Sequence, residues 1–441
     1  MSERYWCENA WLGGERAESG VLLELDGERI ADVSTVPVAP PGARRLAGLT
    51  IPGLANAHSH AFQRALRGRA QSGPGTFWTW REQMYRLAGT IDPDRYRALA
   101  RATFAEMALA GVTVVGEFHY LHHAPGGAPY ADPNEMGRAI IDAAAAAGLR
   151  LTLIDACYLR GGVDTPLAGA QERFGDGDAD EWAARASALE ATSAARVGAA
   201  IHSVRAVAAD EARTVAAWAE ARDAPLHGHL SEQQAENEAC LAAYGMTPTA
   251  LLDSAGALGA RFTAVHATHV TADDIALLAG AEATCCICPT TERDLADGVG
   301  PARELAAAGA TLALGSDSHA VIDLLEEARA VELDERLVTG ERGRHRAAAL
   351  LAAATEGGCR SVGWPEAGRI EVGALADLAT ISLDTPRTAG ADDPLAAVVY
   401  AAGAADVRNV IVGGRTVVSE GRHVDIDVAS ELGAAIAAVD R

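Results

Sequence analysis

The stretch "LTIPGLANAHSHAFQ", residues 49–63, joins an apolar run to two histidines spaced two apart. In a strand, residues two apart share a face, so His58 and His60 converge on one point. Two neutral imidazoles aimed at one spot suit a metal ion and suit a hydrophobic core badly. A solvated polar strand end would carry the same pattern, so the rest of the chain has to decide.

The pattern recurs through the middle of the chain. Apolar, strand-like runs end near His60, Tyr120, Tyr158, Val204, His229, Thr268, Pro289 and Asp317. Ala-rich helical stretches such as "DRYRALARATFAEMALAG" and "EMGRAIIDAAAAAGL" lie between them. Eight strands separated by helices predict parallel pairing through helical crossovers, and a closed (β/α)8 TIM-like barrel is the economical α/β architecture. A doubly wound open sheet is the alternative, yet no G-x-G-x-x-G turn follows the first strand. The two ends read differently: "GVLLELDGERIADVS" and "VRNVIVGGRTVVSEG" are short β segments with glycine turns. The expected organisation is a small discontinuous β-sandwich domain, residues 1–48 with 362–441, flanking a barrel domain, residues 49–361.

At 441 residues and 49% hydrophobic content the chain can build a core larger than one ordinary domain holds. Its 37 basic and 60 acidic residues leave a net charge of −23, which argues against nucleic acid or an anionic membrane as partner. An anionic substrate would therefore need a locally cationic pocket. Every basic residue is arginine. Without lysine there is no Schiff base, no P-loop lysine and no carboxylated lysine bridging two metals. The start of the chain lacks a basic segment followed by an apolar one, and no apolar run of about 18 residues suggests a membrane span. Seven cysteines without framework spacing fit a reducing, cytoplasmic setting. "CCIC" at 285–288 looks like a soft-metal site but lies in an apolar run, where free cysteines act as small hydrophobes.

A barrel gathers its chemistry at the carboxyl ends of its strands. Those ends carry "AHSHAFQ", "GEFHYLHH", "IHSVRAV", "HGHLSEQ", "VHATH", "CPTTERD" and "GSDSH", and eleven of the 13 histidines fall between His58 and His319. Asp317, at the end of an apolar strand, is costly there unless paired or on a metal. Glu232 follows His229 by three residues at a helix start and can reach the same site as a proton carrier. His119, His122 and His123 read as strand-end and loop residues, His227 and His269 as structural, and His319 as support for Asp317.

This constellation resembles the amidohydrolase superfamily, and the missing lysine fits its mononuclear deaminase branch. Along essentially the whole chain, "HSHAFQRA", "FWTWREQMYR", "EFHYLHH", "HSVRAV", "HLSEQ", "VHATH" and "GSDSH" are similar to the deiminases of histidine degradation. Those enzymes hydrolyse N-formimino-L-glutamate to N-formyl-L-glutamate and ammonia. The resemblance implies one divalent ion per chain, zinc or alternatively iron, held by His58, His60, His229 and Asp317. It implies that Glu232, His266 and Asp317 handle protons and orient the attacking water. It also implies a pocket lined by Gln63, Arg81, Tyr120, His202 and Arg205, a small-molecule dianion as substrate, and a homodimer.

Two arginines suit two carboxylates, which a planar guanidinium holds in bidentate fashion. A purine, pterin or S-adenosylhomocysteine deaminase is the alternative activity on the same metal site, and it would be indifferent to Arg81 and Arg205. A purely structural barrel would bind no stoichiometric metal. One departure stands out: Arg293-Asp294 in "TTERDLADG" occupy positions where the family pattern has Ala-Asn, in a loop expected to help close the site.

Overall fold

The computed structural model describes residues 3–71 and 75–440, so residues 1, 2 and 441 of the expected terminal domain lie outside the described residues. The chain opens with β1 (Arg4–Ala10), β2 (Glu18–Asp26), β3 (Arg29–Thr35) and β4 (Arg44–Pro52). Eight strands follow, separated by helices: β5 (Leu54–Ser59), β6 (Val112–His119), β7 (Arg150–Cys157), β8 (Ala195–Ile201), β9 (Leu226–Leu230), β10 (Phe262–His266), β11 (Thr284–Ile287) and β12 (Thr311–Leu314). The chain closes with β13 (Leu378–Ile381), β14 (Val407–Val412), β15 (Arg415–Ser419) and β16 (Arg422–His423).

Strands β5 to β12 pair in sequence order, each parallel to the next. Covered on the outside by helices and filled within by side chains, they bury both faces. Accordingly β6 and β7 are buried at every position and read as near-continuous apolar runs. The intervening helices begin and end on the expected signals. Asp92 accepts from the Arg95 amide at the start of helix Pro93–Leu109, and helix Glu135–Ala147 stops at Gly148 in the left-handed conformation.

The sheet closes between its first and last strands. Ser59 bridges Asp317 in parallel register, the His60 amide donates to the Asp317 carbonyl at 3.1 Å, and the Asp317 amide donates to the His58 carbonyl at 3.0 Å. The seam of the barrel is therefore made by the backbone of three residues whose side chains the sequence singled out.

The terminal strands form one eight-stranded sheet in the order β16-β15-β14-β13-β4-β1-β2-β3. That sheet folds over a core of its own, including Tyr5, Val21, Leu23, Leu46, Leu378 and Ile411. The Tyr5 hydroxyl reaches across to donate to the Gly414 carbonyl at 3.0 Å. The chain crosses from this sheet into the barrel at Gly53, where a Cβ would lie 2.1 Å from Thr113 Oγ1. Among the described residues no helix is long and apolar enough to cross a membrane.

Candidate active site

His58, His60, His229 and His266 project from the carboxyl ends of β5, β9 and β10 toward Asp317, just beyond β12. His58 Nε2 lies 3.3 Å and His60 Nε2 3.4 Å from Asp317 Oδ1, and His229 Nε2 is 3.2 Å from His58 Nε2. His266 Nε2 stands 3.7 Å from Asp317 Oδ2. All five residues are buried.

The protons of two of these rings, His60 and His229, are committed away from the centre. His60 Nδ1 donates to the Phe118 carbonyl and His229 Nδ1 to the His202 carbonyl, each at 2.9 Å, which leaves both Nε2 lone pairs pointing inward. Burial, reinforced by the neighbouring histidines, lowers the pKa of His229, and that of His60 to about 3, so these rings are neutral. Burial would raise the Asp317 carboxyl, but its hydrogen bond to His58 and the histidine charges around it hold it below the usual range. Bare imidazole nitrogens and an ionised carboxylate facing one point form a cation site by their donor chemistry. His58, His60 and Asp317 form one group with metal-ligand spacing, and His58, His229 and His266 another.

Backbone strain collects at the same place. Among the described residues, five of the ten non-glycine positions with positive φ are Ser231, His266, Ala267, Asp317 and His319, all at strand ends around the centre.

Supporting residues that sequence reasoning missed lie one layer out. Glu117, inside the apolar run of β6, accepts from Ser59 Oγ at 2.5 Å and from the Ala61 amide at 2.7 Å, and so fixes the segment carrying both β5 histidines. Burial pushes its carboxyl up to about 8. Glu292 receives His266 Nδ1 at 3.2 Å and the Cys288 amide at 2.8 Å. Glu117 interrupts an apolar stretch, the signal that marked Asp317, whereas Glu292 lies in the polar segment "TTERD" and carries no such mark. His319 bonds Ser59 Oγ at 3.1 Å and Ser316 Oγ at 2.9 Å, so it braces the seam rather than the Asp317 carboxylate.

Above the cluster a pocket opens. It is lined by Gln63, Arg81, Tyr120, His202, Arg205 and Glu232, so every pocket residue taken from the sequence reaches it. Gln63 Nε2 donates to the Tyr120 hydroxyl at 2.9 Å. The Arg81 guanidinium stacks over Trp78 at 4.4 Å and lies 5.4 Å from the Tyr85 ring. Arg205 lies between Glu232, Glu236 and the Phe77 ring. Glu232 Oε1 stands 3.8 Å from His266 Nε2, and burial raises its pKa against the pull of His266 and Arg205. Tyr85, Tyr158, Phe77 and Phe174 complete the wall, and nothing in the sequence distinguishes them from core aromatics.

Other candidates separate from the site. Arg293 pairs with Asp334 and Glu326, and Asp294 accepts from Gln71, outside the pocket lining. The segment expected as a loop is helix Pro289–Leu295, started by its proline, and Leu295 rather than Arg293 faces the pocket. His119, His122 and Asp155 have metal-like spacing, but Asp155 already accepts from Trp182 and twice from Arg185. Cys285, Cys286 and Cys288 are buried free thiols, and burial raises the pKa of Cys288 well above its ordinary value. His227 donates to the Ser361 carbonyl at 2.9 Å, a structural role.

A closed parallel barrel presenting such a cation site beneath an open pocket defines the class of metal-dependent barrel hydrolases. The chain belongs to the amidohydrolase family, whose model it matches over residues 49–417, and it is a hydrolytic enzyme. It is 38% identical to formimidoylglutamate deiminase of Pseudomonas aeruginosa over 96% of this chain and 95% of that protein. It is also 31% identical to 8-oxoguanine deaminase of the same organism, over 95% and 92% of the two chains. Among solved structures, an amidohydrolase from Brucella melitensis superposes with a TM-score of 0.92 at 34% identity, covering 100% of both chains. An adenosine deaminase from Xanthomonas campestris with bound zinc gives 0.87 at 25% identity, over 99% and 98%.

Proposed function

We propose that the chain hydrolyses N-formimino-L-glutamate to N-formyl-L-glutamate and ammonia, the deimination step of histidine degradation, with a single zinc ion as cofactor. The observation that carries this reading is that Arg81 and Arg205 both line the pocket that also holds His60, His229, His266 and Asp317. A chain with a net charge of −23 has no general affinity for a dianion, so two guanidinium groups lining one pocket select for two carboxylates. The 38% identity to a formimidoylglutamate deiminase supports the same substrate. The bound zinc of a structural neighbour and the nitrogen-rich donor set support the metal.

His58, His60, His229 and Asp317 would hold the ion, which when bound lowers the pKa of water toward neutrality. His266 and Asp317 orient the attacking water over the formimino carbon, and Glu232 takes up its proton. Attack gives a tetrahedral carbon bearing two nitrogens and one oxygen. Glu232 then delivers that proton to the terminal nitrogen of the amidinium-derived centre while Asp317 accepts the hydroxyl proton, so the C–N bond to that nitrogen breaks, ammonia leaves and the formyl group stays on the glutamate nitrogen. The aromatic wall excludes water from the substrate backbone, and Gln63, Tyr120 and His202 supply polar contacts around it.

Ammonia release from the zinc-loaded protein tests the reading, with N-formimino-L-glutamate compared against guanine, adenosine, S-adenosylhomocysteine and cytosine. Turnover of the formimino compound, with kcat/KM falling at least about 100-fold in Arg81→Met or Arg205→Met, is expected for lost charge-assisted contacts. Turnover of a nucleobase or nucleoside alone would overturn it.

A further inference from the structure

Glu236 is a fully buried carboxylate that the proposed chemistry does not use. It lies in the first turn of helix Gln234–Tyr244, four residues after Glu232, and both acids come to Arg205 from the same side of the chain. Arg205 Nε is 3.4 Å from Glu236 Oε2, and Arg205 Nη2 is 3.7 Å from Glu232 Oε2. The Glu236 side chain has 0% exposure. Neither of its oxygens has a well-formed hydrogen bond, and neither does Arg205 Nε. Burial pushes the Glu236 carboxyl up to about 7, and Arg205 is the largest influence opposing it, ahead of His266 and the Ser231 amide.

An acid in a first helical turn gains from the helix dipole, but an exposed one gains as much without losing its water. A carboxylate taken wholly out of water is costly unless a cation compensates it, and here that cation is a pocket arginine. A guanidinium has distinct edges. The Nε side of Arg205 is turned to Glu236, while its Nη end reaches Glu232 and the pocket.

We propose that Glu236 is a positioning residue that anchors Arg205 by its Nε edge and so keeps the Nη end open to a substrate carboxylate instead of closed onto Glu232. The inference rests on the reading of Arg205 as a carboxylate clamp. Without Glu236, the nearest anion left to Arg205 is Glu232. The guanidinium would close that gap, withdrawing the clamp from the substrate and tying the proton carrier into an ion pair. One buried acid thereby keeps two functional groups apart.

The test is Glu236→Gln in the zinc-loaded enzyme with N-formimino-L-glutamate, made in the parent and in Arg205→Met. In the parent, KM should rise and kcat should fall, each about tenfold, because the clamp and the proton carrier are both disturbed. In Arg205→Met the same substitution should change each by less than about twofold, since nothing remains to be positioned. Glu236→Asp, which keeps the charge, should recover most of the lost kcat, and it serves in place of the glutamine variant if that does not fold. Equal losses in both backgrounds would mean a structural role and overturn the inference. Where Arg205→Met turns over too slowly to compare, the crystal structure of Glu236→Gln decides. Arg205 within hydrogen-bond distance of Glu232 supports the proposal, and a guanidinium still 3.7 Å away overturns it. A parent enzyme inactive on N-formimino-L-glutamate but active on another substrate overturns the substrate reading itself, and this inference with it.

Discussion

Glu232, the proton carrier of the proposed reaction, lies between the His266 ring at 3.8 Å and the Arg205 guanidinium at 3.7 Å, with burial raising its pKa. A carboxyl whose charge is neither fully compensated nor free in water can both accept and release a proton. Glu232→Gln keeps the side-chain shape and removes only that exchange. The variant should retain the metal content of the parent and lose about 10²- to 10⁴-fold in kcat, measured by ammonia release beside metal analysis. Undiminished turnover would remove Glu232 from the mechanism. His58, His60, His229 and Asp317 stand out locally, because a polar side chain ending an apolar strand costs free energy that only pairing or a ligand offsets. Glu232 stands out by following His229 by three residues, and the roles of all five came with the family resemblance. Glu117 obeys the same rule and Glu292, in a polar segment, does not, and their partners Ser59 and His266 lie 58 and 26 residues away, so what each acid meets had no local signature.

The element that matters most is the junction of β5 and β12. Backbone hydrogen bonds among His58, His60 and Asp317 close the barrel, so closure and convergence of the side chains are one event. Gly315 permits it: a Cβ there would lie 2.8 Å from both the carbonyl oxygen and the Cβ of His58, and a backbone atom cannot swing aside. Gly315→Ala should force the two strands apart and lower bound metal per chain at least about tenfold under limiting metal, by analogy with misplaced outer-shell groups. Metal titration of the purified variant reads it out, and parent-like affinity would show that the seam tolerates the methyl. At this scale the sequence was informative about strands and less so about their ends. The apolar runs end near Val204 and Asp317, yet β8 stops at Ile201 and β12 at Leu314, and at Asp317 the backbone turns into the left-handed region. The segment after β11 was expected as a loop and is helix Pro289–Leu295, whose seven residues are too few for periodicity to reveal.

For the whole molecule, the terminal sheet and the barrel meet at a buried ion pair. Arg150, the first residue of β7, donates from Nε to Asp377 Oδ2 at 2.8 Å and from Nη2 to Glu28 at 2.9 Å. Asp377 also accepts from the Gly413 amide at 2.7 Å, and its own carbonyl receives the Gly53 amide at the crossing between the sheets. Arg150→Met leaves a fully buried carboxylate without its cation and should cost about 3–5 kcal/mol in denaturant unfolding. A loss below about 1 kcal/mol, typical of exposed pairs, would show that the contact does not hold the two sheets together.

Repeating strand–helix alternation, convergent polar strand ends and the absence of lysine are properties of neighbouring residues and composition. From them the sequence predicted the barrel and excluded lysine chemistry, and it marked the residues of a candidate cation site whose roles the family resemblance implied. Tertiary structure decided what depends on residues far apart in the chain. It placed Tyr85, Tyr158 and Phe174 on one pocket wall, turned Arg293 and Asp294 outward to Asp334 and Gln71, folded eight terminal strands into a single sheet, and brought Glu236 to Arg205. Periodicity reports which face of an element is buried, but only the packed fold determines what that face meets.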